Sequence, residues 1–102
     1  MRIAKVIGTV TLSRVHPTLV GGRLKVVVPQ SLANLARGKD DEAEPLVAWD
    51  DLGAGIDSMI ALSEGGEAAA AFYPEEKPVD AYSAALLDNI EINKSQVRKL
   101  TT

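Results

Sequence analysis

Cysteine is absent from this 102-residue chain. That excludes disulfides, thiolate zinc sites and cysteine nucleophiles together, and it fits a reducing compartment. Histidine occurs once, at His16. A site built from several histidines is therefore excluded, which disfavours transition-metal binding. Aromatic residues are 4% of the chain: Trp49, Phe72, Tyr73 and Tyr82. There is no basic surplus, because 11 Lys and Arg face 14 Asp and Glu for a net charge of −3. A nucleic-acid-binding domain normally carries the opposite balance. No apolar run approaches the roughly 20 residues of a membrane-spanning helix. Residues 1–8 are not followed by the apolar stretch of a signal peptide, so a cytoplasmic location is expected.

The chain that remains is 46% hydrophobic. Its length suits one domain with one modest core. A two-lobed enzyme with an interdomain cleft does not fit in it. Residues 2–13 alternate and read as a strand, with Ala4, Val6, Gly8, Val10 and Leu12 on one face. The other face mixes Ile3 and Ile7 with polar residues. Water alone does not call for Ile3 and Ile7, so a further surface, such as another subunit, is expected to cover part of that face. Gly8 within a strand marks a bulge, a bend or a close backbone approach. Residues 14–22 form a loop containing Pro17 and the pair Gly21-Gly22. Residues 23–28 are alternating and β-branched, a second strand ending at Pro29.

Ser31 is placed to cap a short helical turn over 31–36. Residues 37–45 are charged loop. Short strands are expected at 46–50 and 57–62, joined by a glycine turn, Leu52-Gly53-Ala54-Gly55. The alanine run after Gly65-Gly66 favours a helical turn that Tyr73-Pro74 stops. A last long strand is expected at 82–92, bending near Asp88-Asn89. Residues 94–102 read as a polar tail with about one helical turn, leaving 1–93 as a single domain. Five strands with Gly/Pro turns and short helical turns make a mainly β protein. A partly open, five-stranded OB-like barrel is the economical architecture.

Candidate chemistry is sparse. His16 sits in a loop beside Pro17 and Arg14; a general base is conceivable, but a structural or solvated histidine is the ordinary outcome there. Ser13 has no nucleophile elbow around it. The Gly53-Ala54-Gly55 pattern lacks the third glycine of a dinucleotide loop and the lysine of a phosphate loop, so it reads as a turn. The acidic run Asp40-Asp41-Glu42 with Glu44 lacks the ligand spacing of a calcium loop. Asp50, Asp51, Asp57 and Asp80 contain no spacing that pairs them. The aromatic residues are flanked by acids rather than by Lys and Arg, which points to core or interface packing. Neither a cofactor nor a metal is expected.

Several segments resemble the bacterial microcompartment vertex proteins, the carboxysome and ethanolamine-utilisation shell pentamers. They are the opening Ile3-Ala4-Lys5-Val6-Ile7-Gly8-Thr9-Val10, the stretch Leu19-Val20-Gly21-Gly22-Arg23-Leu24, and Val47-Ala48-Trp49-Asp50 before Leu52-Gly53-Ala54-Gly55. A fourth is Pro78-Val79-Asp80-Ala81 with Ala85-Leu86-Leu87-Asp88. Their order and spacing run along nearly the whole chain. The resemblance implies an OB-like barrel that assembles as a homopentamer and caps shell vertices, without catalysis. Hexameric and trimeric shell proteins are the implied partners, with neither nucleic acid nor membrane involved. It implies that Gly53, Ala54, Gly55 and Asp57 lie near a fivefold pore or a subunit junction. A ring of Asp57 carboxylates is one implication, and a surface residue that begins a strand is the other. Leu19, Gly21, Gly22 and Arg23, with Lys77, Pro78, Val79 and Asp80, are the implied contacts with flanking tiles. Two features depart from the family: Asp57-Ser58 replaces a Gly-Glu pair, and no arginine follows Gly66. The alternative class is a single-stranded nucleic-acid-binding OB module; a small enzyme using His16 is the third.

Overall fold

A computed structural model describes residues 1–38 and 43–101. Its first strand, β1 (Arg2–Val10), buries Ala4 and Val6 completely. The alternation continues past Ile7, which faces outward, but the register against the next strand shifts between Val6 and Gly8. This is the irregularity that a glycine inside a strand announces. Strand β1 stops at Val10 rather than running on to Ser13.

Strand β2 (Leu24–Pro29) returns antiparallel to β1, so the long connection closes a hairpin. Helix α1 (Leu32–Arg37) starts as expected, with Ser31 Oγ accepting from the Asn34 N–H at 3.1 Å. Gly38 ends it in the left-handed conformation. Strands β3 (Leu46–Trp49), β4 (Met59–Glu64) and β5 (Ala81–Leu86) follow, with helix α2 (Gly66–Ala70) between the last two. The strands form a closed barrel in the order β1-β2-β3-β5-β4. All neighbours are antiparallel except β3 and β5. That parallel contact, Trp49 opposite Tyr82, closes a barrel that the sequence alone suggests is partly open.

The core holds Val6, Val27, Ile60 and Leu62, with Ala4, Ala48, Ala54 and Ala81 filling the narrow interior. Burying Leu62 and Ile60 contributes roughly 1.5–3 kcal/mol each. Three boundaries differ from the sequence reading. Asp57 has φ +71 and belongs to a turn, so β4 begins at Met59. Strand β5 ends at Leu86, well before Ile92, and buries Ala81 and Ser83 while Ala84 and Leu86 stay exposed. Where about one helical turn is expected after residue 93, a longer helix stands. Helix α3 (Lys94–Thr101) is capped by Asn93, whose Oδ1 accepts from the N–H groups of Ser95 and Gln96 at 3.1 and 3.2 Å. It packs on α1, and Val97 is buried.

Ser83 is 1% exposed, and its hydroxyl has no hydrogen-bond partner among the described residues. Burying an unpaired hydroxyl costs stability. A Ser83→Ala variant is therefore expected to gain up to about 1 kcal/mol, read as a higher urea midpoint at unchanged slope. A lower midpoint would mean that the hydroxyl is satisfied after all.

Candidate functional site

Asp50 organises the turn between β3 and β4. Its carboxylate is fully buried. Oδ1 accepts from the Leu52 N–H at 3.2 Å and Oδ2 from the Ala54 N–H at 2.8 Å. An aspartate that receives its own downstream N–H groups is the usual way to fold a tight turn. Gly53 takes φ +75 here, which a side chain would resist. Ala54 drops into the core while Gly53, Gly55 and Asp57 stay exposed. The turn then joins β1. The Asp57 N–H donates to Val6 O at 2.8 Å, and the Val6 N–H donates to Ser58 O at 2.9 Å. These bonds set Ile56 and Asp57 beside Ile7 and the β1 bulge. Lys5 Nζ lies 3.8 Å from Asp57 Oδ1, a loose and solvent-facing pair. Ile7, Leu52 and Ile56 remain 47%, 45% and 59% exposed.

The structure brings the two predicted tile-contact segments together. A short 3₁₀ turn, Pro17–Leu19, is capped by His16, whose Nδ1 accepts from the Thr18 N–H at 3.2 Å. Lys77 Nζ donates to Thr18 O at 2.6 Å and sits 5.0 Å from the Trp49 ring centre. Phe72 meets both Trp49 and Tyr82 edge-on, at 5.0 and 5.4 Å. Gly22 lies flat on Trp49, because a Cβ there would come within 2.5 Å of the indole. Lysine and indole attract through the ring quadrupole, and edge-on rings add to this. Lys77 is an internal clamp, its side chain only 14% exposed. Leu19 and Val79 are half-buried, whereas Gly21, Arg23, Pro78 and Asp80 are exposed.

At the far end of β4, Arg2 grips Glu64 with two hydrogen bonds of 2.7 and 2.9 Å. Those bonds hold the Glu64 carboxyl below its usual range, against the opposing effect of partial burial. The guanidinium is correspondingly raised. A carboxyl lowered on folding adds stability above its unfolded pKa and loses it as pH falls through its folded one. Both side chains are more than one-third exposed, so the effect is at most about 1 kcal/mol. Glu64→Gln is expected to remove this small acid-dependent increment in stability, visible in denaturant midpoints compared at neutral and acid pH.

The remaining sequence candidates have separate positions. The aspartates do not form an acid pair: Asp50 holds backbone, Asp51 accepts from the Trp49 indole at 2.8 Å, and Asp57 faces Lys5. Gly53-Ala54-Gly55 is a strand-connecting turn. Asp40, Asp41 and Glu42 lie outside the described residues. Among the described residues no group of three His, Cys, Asp or Glu side chains is placed to hold a metal. No helix among them is long and apolar enough to cross a membrane. Trp49, Phe72 and Tyr82 pack on one another, while Tyr73 stands 86% exposed. Two features escaped sequence reading, the Lys77 clamp and the Ile7–Ile56 neighbourhood. The first joins positions far apart in the chain. The second depends on the bulge register.

With this geometry in place, comparison with known proteins is specific. Residues 1–88 match the family described as ethanolamine utilisation protein EutN/carboxysome. A relative from Synechococcus elongatus, the carboxysome shell vertex protein CcmL, is 35% identical over 97 residues, covering 95% of this chain and 93% of the relative. The solved structure of Gloeobacter violaceus CcmL superposes with a TM-score of 0.78 at 29% identity, covering 91% of each chain. The GrpN pentameric microcompartment shell protein from Rhodospirillum rubrum gives a TM-score of 0.73 at 26% identity, covering 91% of this chain and 99% of that one.

Proposed function

Because the chain belongs to the family described as ethanolamine utilisation protein EutN/carboxysome, we propose that it acts as a structural shell protein whose pentamers cap the vertices of a bacterial microcompartment. The observation that carries this reading is near-complete coverage in both directions of a carboxysome shell vertex protein. The likeness to a pentameric shell protein supports the ring of five. The geometry gives the role its meaning, since a hexagonally tiled sheet closes into a polyhedron only at fivefold positions. A small barrel without free sheet edges suits such a plug, because it offers no strand to stray partners.

The role needs no catalysis. His16 is occupied as a helix cap and Asp50 as a turn anchor, which leaves both out of any reactive pair. We assign the protein to the shell of a compartment within the cytoplasm. Its partners are further copies of itself and the hexameric and trimeric tiles around a vertex. The 53–57 turn belongs at a junction between subunits. The side of the 19–23 loop clamped to 77–80 faces the tiles, with Gly21, Arg23, Pro78 and Asp80 outermost. The nucleic-acid alternative gains nothing from Trp49, Phe72 and Tyr82, which pack edge-on against one another inside the chain.

Light scattering coupled to size exclusion tests the assembly. Particles of about five chain masses are expected. A monomer at micromolar concentration would overturn the proposal, and a hexamer would overturn the vertex role.

A further inference from the structure

Three of the aromatic residues, Trp49, Phe72 and Tyr82, hold one another edge-on. The fourth, Tyr73, stands 86% exposed. It lines an open groove of about 690 Å³ between the 69–78 segment and the loop at His16. Ala69, Ala70, Pro74 and Pro78 give this groove an apolar lining. Its shape is fixed from both sides. The Phe72 and Tyr73 N–H groups donate to Ala69 O and Ala70 O at 3.1 and 3.2 Å, and the Glu75 N–H donates to Phe72 O at 2.8 Å. Lys77 Nζ ties this segment to Thr18 O, two residues beyond His16. A groove formed before its occupant arrives costs little to order.

The charge of the groove is one-sided. Glu75 and Glu76 line it, and both are exposed. Lys77 is the lining cation, but its ammonium is turned to the Thr18 carbonyl and to the Trp49 and Phe72 rings. It lies 3.4 Å from Glu75 Oε2, and Glu76 has no cation partner among the described residues. His16 adds a donor. Its Nδ1 accepts from the Thr18 N–H, so the neutral ring carries its proton on Nε2. Exposed carboxylates beside a tyrosine ring suit a guanidinium, through charge-assisted hydrogen bonds and cation–π attraction. The apolar lining suits the carbon side chains next to it. An extended peptide offers both in alternation.

We infer that this groove docks an extended, arginine-bearing segment of a partner protein, with the guanidinium held by the Tyr73 ring and the Glu75 and Glu76 carboxylates. The docking goes beyond the vertex reading, because it needs neither a ring nor a tile. The groove borders the side assigned to the tiles at Lys77 and Pro78; Tyr73, Glu75 and Glu76 lie outside that side.

Fluorescence anisotropy on the full chain tests this with two labelled, capped hexapeptides. One alternates leucine with arginine, the other leucine with glutamate. The arginine peptide is expected to bind saturably below about 1 mM, and the glutamate peptide at least about tenfold more weakly. Tyr73→Ser and the double change Glu75→Gln with Glu76→Gln are each expected to weaken the arginine peptide about tenfold. The double change also flattens its salt dependence. Tyr73, Glu75 and Glu76 are exposed, so unchanged particle mass and unchanged Trp49 emission are expected to confirm the fold of these variants. Glu67→Gln removes an exposed acid outside the groove and is expected to leave binding as it is. The inference is overturned by an absence of saturable binding, by binding indifferent to either groove variant, or by equal weakening in Glu67→Gln. Free arginine amide that competes at the same concentration as the hexapeptide also overturns it, since the apolar lining would then contribute nothing. Particle mass tests the ring separately. A pentamer that ignores the peptide overturns this inference alone, and a monomer that binds it overturns the vertex reading alone.

Discussion

Asp50→Ala is expected to cost about 2–4 kcal/mol of folding stability. The Asp50 side chain is fully buried, and its two oxygens satisfy the N–H groups of Leu52 and Ala54. Ala54 is itself 1% exposed and part of the core cluster, so water cannot replace the lost acceptor without entering the core. Each donor left unsatisfied costs roughly 1–3 kcal/mol. For a domain of this size that lowers the melting temperature by roughly 10–25 °C in a calorimetric scan. Asp50→Asn keeps one carbonyl oxygen and is expected to fall between the wild type and the alanine variant. The consequence extends to β1, because the same turn carries Asp57 to its bond with Val6. A variant within about 0.5 kcal/mol of the wild type would mean that other contacts hold the turn.

Gly22→Val is the second large effect, and it tests packing rather than polarity. A Cβ at position 22 would lie 2.5 Å from Trp49 Cη2 and Cζ3. The indole has little freedom to withdraw. Its Nε1 is bonded to Asp51 at 2.8 Å, Phe72 meets it edge-on, and Lys77 sits over its ring. Overpacking of this kind costs about 1–3 kcal/mol. Trp49 is the only tryptophan, so its emission reports the displacement directly, moving to longer wavelength as the ring meets water. Gly21→Ala is the matched control. Gly21 has φ +80 and open space around it, so alanine there strains the backbone without touching the indole. It is expected to lose some stability with unchanged Trp49 emission. A red shift in both variants would trace the effect to the loop backbone and not to the Gly22–Trp49 contact.

Much of the local structure is legible residue by residue. Ser31 announces the start of α1 because a hydroxyl at a helix N-terminus meets an otherwise unpaired N–H. Gly8 announces the break in β1. The alternation of Ala4 and Val6 with Ile3 and Lys5 identifies the buried face of the first strand. Strand β5 is less legible, because the apolar residues of 82–92 lie on both parities and give no single face. Alanine and serine are small enough to enter a narrow barrel, so Ala81 and Ser83 turn inward while Ala84 and Leu86 remain exposed. The start of β4 misleads for a local reason: Asp57 adopts a left-handed conformation that only a few side chains tolerate. Helix α3 is short and mostly polar; it packs on α1 and buries Val97, a docking between segments distant in the chain.

The candidate site divides the same way. Leu19–Leu24 and Lys77–Asp80 are visible as segments, yet nothing local says that they meet. Lys77 looks like a solvated loop lysine until the fold supplies Trp49, Phe72 and the Thr18 carbonyl around it. Trp49 and Asp50 are adjacent, but one closes the barrel against Tyr82 and the other anchors the following turn.

By itself the sequence determines the class of this protein: a small, mainly β, cysteine-free domain with apolar residues on both strand faces and turn residues between. Those properties follow from composition and short-range periodicity, which depend on neighbours in the chain. The tertiary structure decides the rest. It closes the barrel, hides Asp50, buries Lys77 against an indole and leaves Ile7 beside Ile56 on the outside. Each of these joins residues separated by a strand or more, so each depends on how the strands are ordered and on where β1 bulges. The absence of cysteine first excludes chemistry; once the barrel is closed, what remains open is surface, with Ile7, Ile56 and Val20 exposed on it.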